Sequence, residues 1–101
     1  MVKLVVLYGP PTDPTAFEDH YANTHAPLAL AVPGLKRFES GPVVGTPDDS
    51  APPFQRIAEL WFDSQEDLEA GLGSSEGQAA VNDIPNFATG GATVVVVAID
   101  A

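Results

Sequence analysis

The chain has 101 residues, of which 45% are hydrophobic, so it can bury one small core and forms a single domain over residues 1–101. Its formal net charge of −10 makes nucleic acid and anionic membranes poor partners. It has no cysteine, which excludes disulfides, thiolate metal sites and cysteine nucleophiles.

The first predicted element is a buried strand over Val2–Tyr8. This β-branched run is closed by Gly9, Pro10 and Pro11, which are typical of a turn. It is too short for a membrane span or an ordinary signal-peptide core. We therefore expect a cytoplasmic protein.

The first helix is predicted to begin after Asp13, a favourable N-cap residue that precedes Pro14. Its apolar stripe starts at Phe17. Pro27 lacks a backbone N–H and disfavours the helical conformation of the residue before it, so we expect a kink or restart there, which leaves the carbonyl of Asn23 unpaired.

The remaining elements follow from alternation, caps and turn residues. Two strands are predicted at Leu35–Val44 and Phe54–Phe62. The acidic segment Gly45–Pro53 connects them. The second helix begins at Ser64, and a short further helix is capped by Ser75 and ends near Pro85. The last strand, Ala92–Ile99, contains four consecutive valines, which predict a fully buried strand.

This order predicts an α+β fold of the ferredoxin-like βαββαβ type, with an antiparallel four-stranded sheet and its helices on one face. The first and last strands are apolar on both sides, and Ile57 and Trp61 add apolar groups to the face without helices. A monomer would expose that face. We therefore expect a homodimer in which two sheets close face to face.

The two histidines, His20 and His25, occur on the first helix. On an α-helix, residues five apart point roughly 140° apart, so the pair is not expected to chelate a metal. His25 is a candidate general acid or base, because its ordinary pKa lies near physiological pH. The alternative is that its ring bonds the freed carbonyl near Pro27 and holds the kink.

Four further residues are candidates for lining a substrate cavity: His20, Tyr21, Glu59 and Trp61. His20 can instead be solvated or lie at a dimer contact, and Tyr21 can be a core residue with a satisfied hydroxyl. Glu59 lies either at the dimer seam or in the cavity, and an ion pair with Arg37 on the neighbouring strand is the structural alternative.

No bound cofactor is expected. The sequence has no G-x-G-x-x-G fingerprint for a nicotinamide or flavin, and Gly90-Gly91 is interpreted as a turn because no helix follows it. Haem is disfavoured, because His25 would be its sole ligand and no pair of basic residues is placed for the propionates.

Several motifs together resemble the EthD family. They are the N-terminal strand with Gly9, the F-x-x-H-Y-x-x-x-H-x-P-L segment of Phe17–Leu28, Pro33-Gly-Leu, Ala58–Asp63, Ser75–Gln78 and Asn86–Thr89. The resemblance covers nearly the whole chain and implies a dimeric α+β barrel. The family takes its name from ethyl tert-butyl ether degradation, and its members are often called reductases.

The resemblance implies a small-molecule enzyme, an oxidoreductase or a lyase, that works without a bound cofactor. In related fungal dehydratases and decarboxylases of aromatic polyketides, a helix histidine is implicated as acid or base, and the resemblance assigns this role to His25, with His20 as a weaker match. We expect an apolar or aromatic carbonyl substrate in the barrel cavity. The alternative is a non-catalytic protein that binds a hydrophobic metabolite or supports an oxygenase.

Overall fold

The computed structural model describes residues 1–100. The strands are β1 (Val2–Tyr8), β2 (Arg37–Pro42), β3 (Arg56–Phe62) and β4 (Ala92–Ala98). The helices are α1 (Pro14–His20), α2 (Ala26–Leu30), α3 (Gln65–Gly73) and α4 (Ser75–Phe87), and a π-helical segment over Tyr21–His25 connects α1 to α2.

The strands form one antiparallel sheet in the order β2-β3-β1-β4. The central strand β1 pairs Val5 with Glu59 of β3 on one side and with Val95 of β4 on the other. This arrangement confirms the predicted α+β, ferredoxin-like fold. Strand β2 is shorter than predicted at both ends, and β3 begins two residues later than predicted.

The helix caps agree with the sequence at two positions and differ at a third. Asp13 accepts a hydrogen bond from the Ala16 backbone, and Ser64 accepts one from Asp67, as predicted. The last helix is capped by Ser74, not Ser75. It continues through Pro85 because the Ala88 N–H donates to the Ile84 carbonyl beyond the proline, so the predicted short helix has 13 residues.

The core lies between the helices and one face of the sheet. Alternate residues of β1 and β3 point into it, so that Leu4, Val6 and Tyr8 are buried beside Ala58, Leu60 and Phe62. The helices contribute Phe17, Tyr21, Leu68, Ala80 and Phe87. Burial of these side chains supplies the main driving force for folding.

The opposite side of the sheet carries no helix, and we call it the open face. It presents Val5, Ile57, Glu59, Trp61, Val95 and Val97. The prediction that β4 is fully buried is wrong for the single chain, because all seven of its residues are exposed. The strand lies at the sheet edge, and Val95 keeps 44% of its surface exposed.

Candidate active site

The π-helical segment brings the two histidines to the same side of the helix. The backbone N–H of Ala26 donates to the carbonyl of Tyr21, five residues earlier. The i→i+5 hydrogen bonds of such a helix bring residues five apart to the same side, and both rings reach one carboxylate. The expectation that His20 and His25 point apart is therefore wrong, because it assumed α-helical spacing.

Both histidines contact the carboxylate of Asp83, which α4 presents to the core with 7% of its side chain exposed. His20 Nε2 lies 2.9 Å and 3.0 Å from the two carboxylate oxygens. His25 Nδ1 lies 3.0 Å from Oδ2, and Asn86 Nδ2 donates to Oδ1 at 3.0 Å. One buried carboxylate thus accepts from three side chains.

The contacts of Asp83 determine which nitrogen of His25 carries a proton. Hydrogen bonds from Asn86 and the two histidines outweigh burial and lower the pKa of Asp83, so it is an ionised acceptor. His25 Nδ1 therefore carries the hydrogen. In the neutral ring, Nε2 is then the acceptor, and it receives a hydrogen bond from the Tyr8 hydroxyl at 3.3 Å.

Burial sets the protonation of the two groups on the cavity side. It lowers the pKa of His25 below its ordinary value of 6.5, and the Asp83 carboxylate only partly opposes this effect. Burial, reinforced by Tyr21, also raises the pKa of Tyr8, which therefore stays protonated. At neutral pH the site contains an ionised Asp83, a neutral His25 and a neutral Tyr8.

The alternative in which His25 holds the helix kink through the Asn23 carbonyl is wrong. Both ring nitrogens are bonded to side chains, Nδ1 to Asp83 and Nε2 to Tyr8. The predicted restart of the helix at Pro27 is confirmed to within one residue, because a new α-helix begins at Ala26 with Pro27 in its first turn. The hydrogen bonding changes there from π-type to α-type.

A narrow cavity adjoins His25 between the sheet and the helices. It contains about 410 Å³ of atom-free space, part of which is open to solvent. Its lining is apolar except for His25, Tyr8 and Tyr21, and includes Leu4, Val6, Ala29, Phe38, Leu60 and Ile84. Few polar groups in an apolar cleft are typical of a small-molecule site.

The hydroxyl of Tyr21 is the end of a second polar chain. It lies 2.7 Å from Ser40 Oγ, which accepts a hydrogen bond from Arg56 Nη1 at 2.9 Å. The Arg56 guanidinium stacks over the Tyr21 ring at 4.4 Å and is held by Glu18. Burial raises the pKa of Tyr21 despite these contacts, so it is a neutral phenol.

The structure separates the five predicted site residues into two groups. His20, His25 and Tyr21 lie together on the covered side of the sheet, whereas Glu59 and Trp61 lie on the open face. The predicted ion pair of Glu59 with Arg37 is wrong. Register places Arg37 opposite Trp61, so Glu59 pairs with Lys3 at 3.0 Å and Arg37 pairs with Glu39.

Sequence reasoning missed Asp83, Tyr8 and Ser40. One signal for Asp83 was available, because the buried stripe of α4 runs through Gly77, Ala80, Asp83 and Phe87. An acidic residue on an otherwise apolar helical stripe needs a buried partner. The contact to two histidines depends on the π-helical segment, which the sequence did not indicate.

Two further properties of residues 1–100 bear on function. Within this range, no group of three or more His, Cys, Asp or Glu side chains is arranged to hold a metal ion. In the same part of the chain, every helix is too short or too polar to cross a membrane.

The fold and site define a ferredoxin-like α+β protein with a carboxylate-held histidine facing an apolar cavity. The chain belongs to the EthD family, whose EthD domain matches residues 9–91. It is 37% identical over 95 residues to an uncharacterised 11.0 kDa protein from the thcB–thcC intergenic region of Rhodococcus erythropolis, covering 94% of this chain and 91% of that protein.

Solved structures show the same architecture. An EthD family protein from Bacillus halodurans is 36% identical, with a TM-score of 0.93 over 99% of both chains. A dimeric ferredoxin-like protein of unknown function from Thermobifida fusca is 17% identical, with a TM-score of 0.75 over 97% of this chain and 90% of that one. A variant of SnoaB, a cofactor-independent oxygenase from Streptomyces nogalater, is 15% identical, with a TM-score of 0.68 over 99% and 93%.

Proposed function

We propose that the protein is a small-molecule enzyme that uses His25 for proton transfer to and from an apolar or aromatic carbonyl compound, without a bound cofactor. The observation that carries this proposal is the chain from Asp83 through His25 to Tyr8, which ends in an apolar cavity. A neutral imidazole held by a carboxylate is a suitable general base.

In the proposed step, His25 Nε2 accepts a proton from the carbon next to the substrate carbonyl. The C–H bond breaks, an N–H bond forms, and the electron pair moves onto the carbonyl oxygen as an enolate. The hydrogen bond that Tyr8 makes to Nε2 is long at 3.3 Å, so little is lost when the substrate replaces it. Asp83 stabilises the imidazolium that results.

Tyr21 is proposed to stabilise the enolate oxygen. Arg56 can only donate, so Ser40 accepts from it and directs its own hydroxyl proton to the Tyr21 oxygen. The Tyr21 O–H is then free to donate into the cavity that it lines. Donors placed where negative charge develops contribute substantially to catalysis.

We also propose a homodimer that covers the open face. Its valines, with Ile57 and Trp61, form an apolar surface that a single chain leaves in contact with water. Closing two such sheets on each other would remove this surface from solvent. The Thermobifida fusca protein with this fold is described as dimeric, which supports the proposal.

The proposal is tested by deuterium exchange, which reports proton abstraction without knowledge of the natural reaction. The protein is incubated in D₂O with 2-indanone, a small aromatic ketone, and loss of the α-proton signals is followed by NMR. We expect wild type to accelerate exchange over buffer. His25→Gln should lower the protein-dependent rate by about 10²–10⁴-fold, and Tyr21→Phe by about 10²-fold.

The matched control is Lys36→Gln, an exposed residue that pairs with Asp63 away from the cavity and should leave the exchange rate unchanged. Thermal melts establish that each variant is folded. If His25→Gln exchanges as fast as wild type, or if no cavity-sized ketone exchanges, acid–base catalysis by His25 is refuted. Saturable binding of 2-indanone without exchange would instead support a binding protein.

A further inference from the structure

His20 and His25 share one carboxylate but have different surroundings. The side chain of His25 is 6% exposed and faces the apolar cavity. That of His20 is 30% exposed and borders a second, more polar groove, which Thr12, Asp13, Asn86 and Thr89 also line. Asp83 therefore connects an imidazole in the cavity to an imidazole that water can reach.

A single carboxylate has one negative charge, and both imidazoles contact it, so a proton on one ring reduces the stabilisation left for a proton on the other. The groups around them favour a proton on His20. His20 contacts the Asp83 carboxylate, and a second carboxylate, that of Asp13, lines the polar groove that His20 borders. His25 also meets Asp83, but its other polar neighbours are the neutral hydroxyl of Tyr8 and the ring of Tyr21.

Desolvation also favours the positive charge on His20 over a positive charge on His25. His25 lies deep in the core and packs against Phe87, with ring centres 4.8 Å apart. His20 stacks on the same Phe87 ring at 5.0 Å, but 30% of its side chain is exposed. A positive charge costs less at the wetter position. A positive charge on His20 in turn lowers the pKa of His25 further.

We propose that His20 is a positioning residue for the base: it carries the proton that balances Asp83 and thereby keeps His25 neutral, so that Nε2 is unprotonated and can accept a proton from the substrate. This inference rests on the proposed role of His25. It assigns the two histidines different tasks, one on each side of the same carboxylate.

The test is an NMR titration of the full-length protein with ¹⁵N-labelled imidazoles. The chain has only two histidines, so one substitution assigns both signals. In wild type, His20 should gain its proton at a higher pH than His25. In His20→Gln, a neutral donor to Asp83 replaces the imidazole, and the proton affinity of His25 should rise about tenfold.

His20→Arg is the matched variant, for which the opposite change in the proton affinity of His25 is expected. It fixes a positive charge against Asp83, so the proton affinity of His25 should fall or stay at its wild-type value, never rise. The acidic limb of the 2-indanone exchange rate should shift to higher pH in His20→Gln and not in His20→Arg. If His20 had a merely structural role, both variants would shift the proton affinity of His25 and the acidic limb in the same direction.

The inference is overturned if His25 protonates before His20 in wild type, a result that needs no variant to fold. It is also overturned if the Gln and Arg variants change the proton affinity of His25 equally. These outcomes are distinct from failure of the proposed function. If His25→Gln leaves exchange intact while the titration behaves as expected, catalysis by His25 is wrong and the coupling of the histidines stands.

Discussion

The two faces of the sheet differ far more than the residues of its strands suggest. On the covered face, Tyr8 is 1% exposed and its hydroxyl bonds His25. On the open face, the alternate residues of the same strands remain in contact with water, and the charged groups pair with near neighbours, as Lys3 does with Glu59. The strands supply apolar side chains to both faces, but only the face covered by the helices becomes part of the core.

The contrast extends to the acidic side chains. Asp83 is buried and accepts from three donors, whereas Glu39, at the edge of the open face, is half exposed and pairs with Arg37. A buried, fully satisfied carboxylate fixes the position and tautomer of its partners, and an exposed ion pair does neither. Polar chemistry is therefore concentrated on the covered face, and the open face is suited to association.

The largest expected effect is on association. Val95→Asp places a carboxylate on the open face, and in a symmetric dimer it does so twice. Burying such charges costs several kcal/mol, so the dissociation constant should rise by about a thousandfold or more. Sedimentation equilibrium measures the dissociation constant. The control is Leu30→Asp at an exposed position of α2, which should leave the dissociation constant unchanged. A wild type that is already monomeric would contradict the dimer.

The next effect concerns stability, and it compares one carboxylate from each face. Asp83→Ala leaves the buried Nδ1–H of His25 without an acceptor, at about 1–3 kcal/mol, and removes the hydrogen bonds of the partly exposed His20 and the exposed Asn86. It should lower the free energy of unfolding by about 3 kcal/mol. Glu39→Ala should cost less than about 1 kcal/mol, because the Arg37 pair is exposed. Urea denaturation measures both, and similar losses would contradict the contrast between the faces.

The smallest effect is a pH dependence of stability that only the covered face should show. The pKa of His25 is lower in the folded chain than its ordinary value of 6.5, so the unfolded chain binds the proton first. Stability should therefore fall as the pH drops below about 6.5, with a slope of at most about 1.4 kcal/mol per pH unit from this group. Urea unfolding from pH 8 to pH 5 measures it. His25→Gln should remove this part of the slope, and an unchanged slope would show that another group causes it.

The fold and part of the site could be predicted from local patterns. The strand Val2–Tyr8, the cap at Asp13 and the placement of His25 and Tyr21 on an inward-facing helix each follow from residues close together in the chain. The partner of His25 could not be found in this way. Asp83 lies 58 residues away, and its contact with both histidines requires five-residue spacing that α-helical periodicity does not provide.

By itself, the sequence determined the order of strands and helices, the ferredoxin-like topology and the membership of both histidines in one helix, because periodicity and caps act over a few residues. The tertiary structure decided that β4 is exposed in the single chain, that Glu59 pairs with Lys3, and that His20 and His25 meet at Asp83. Sheet register and the packing of α4 against the π-helical segment are long-range properties. They fix which side chains meet, and no local pattern in the chain encodes that choice.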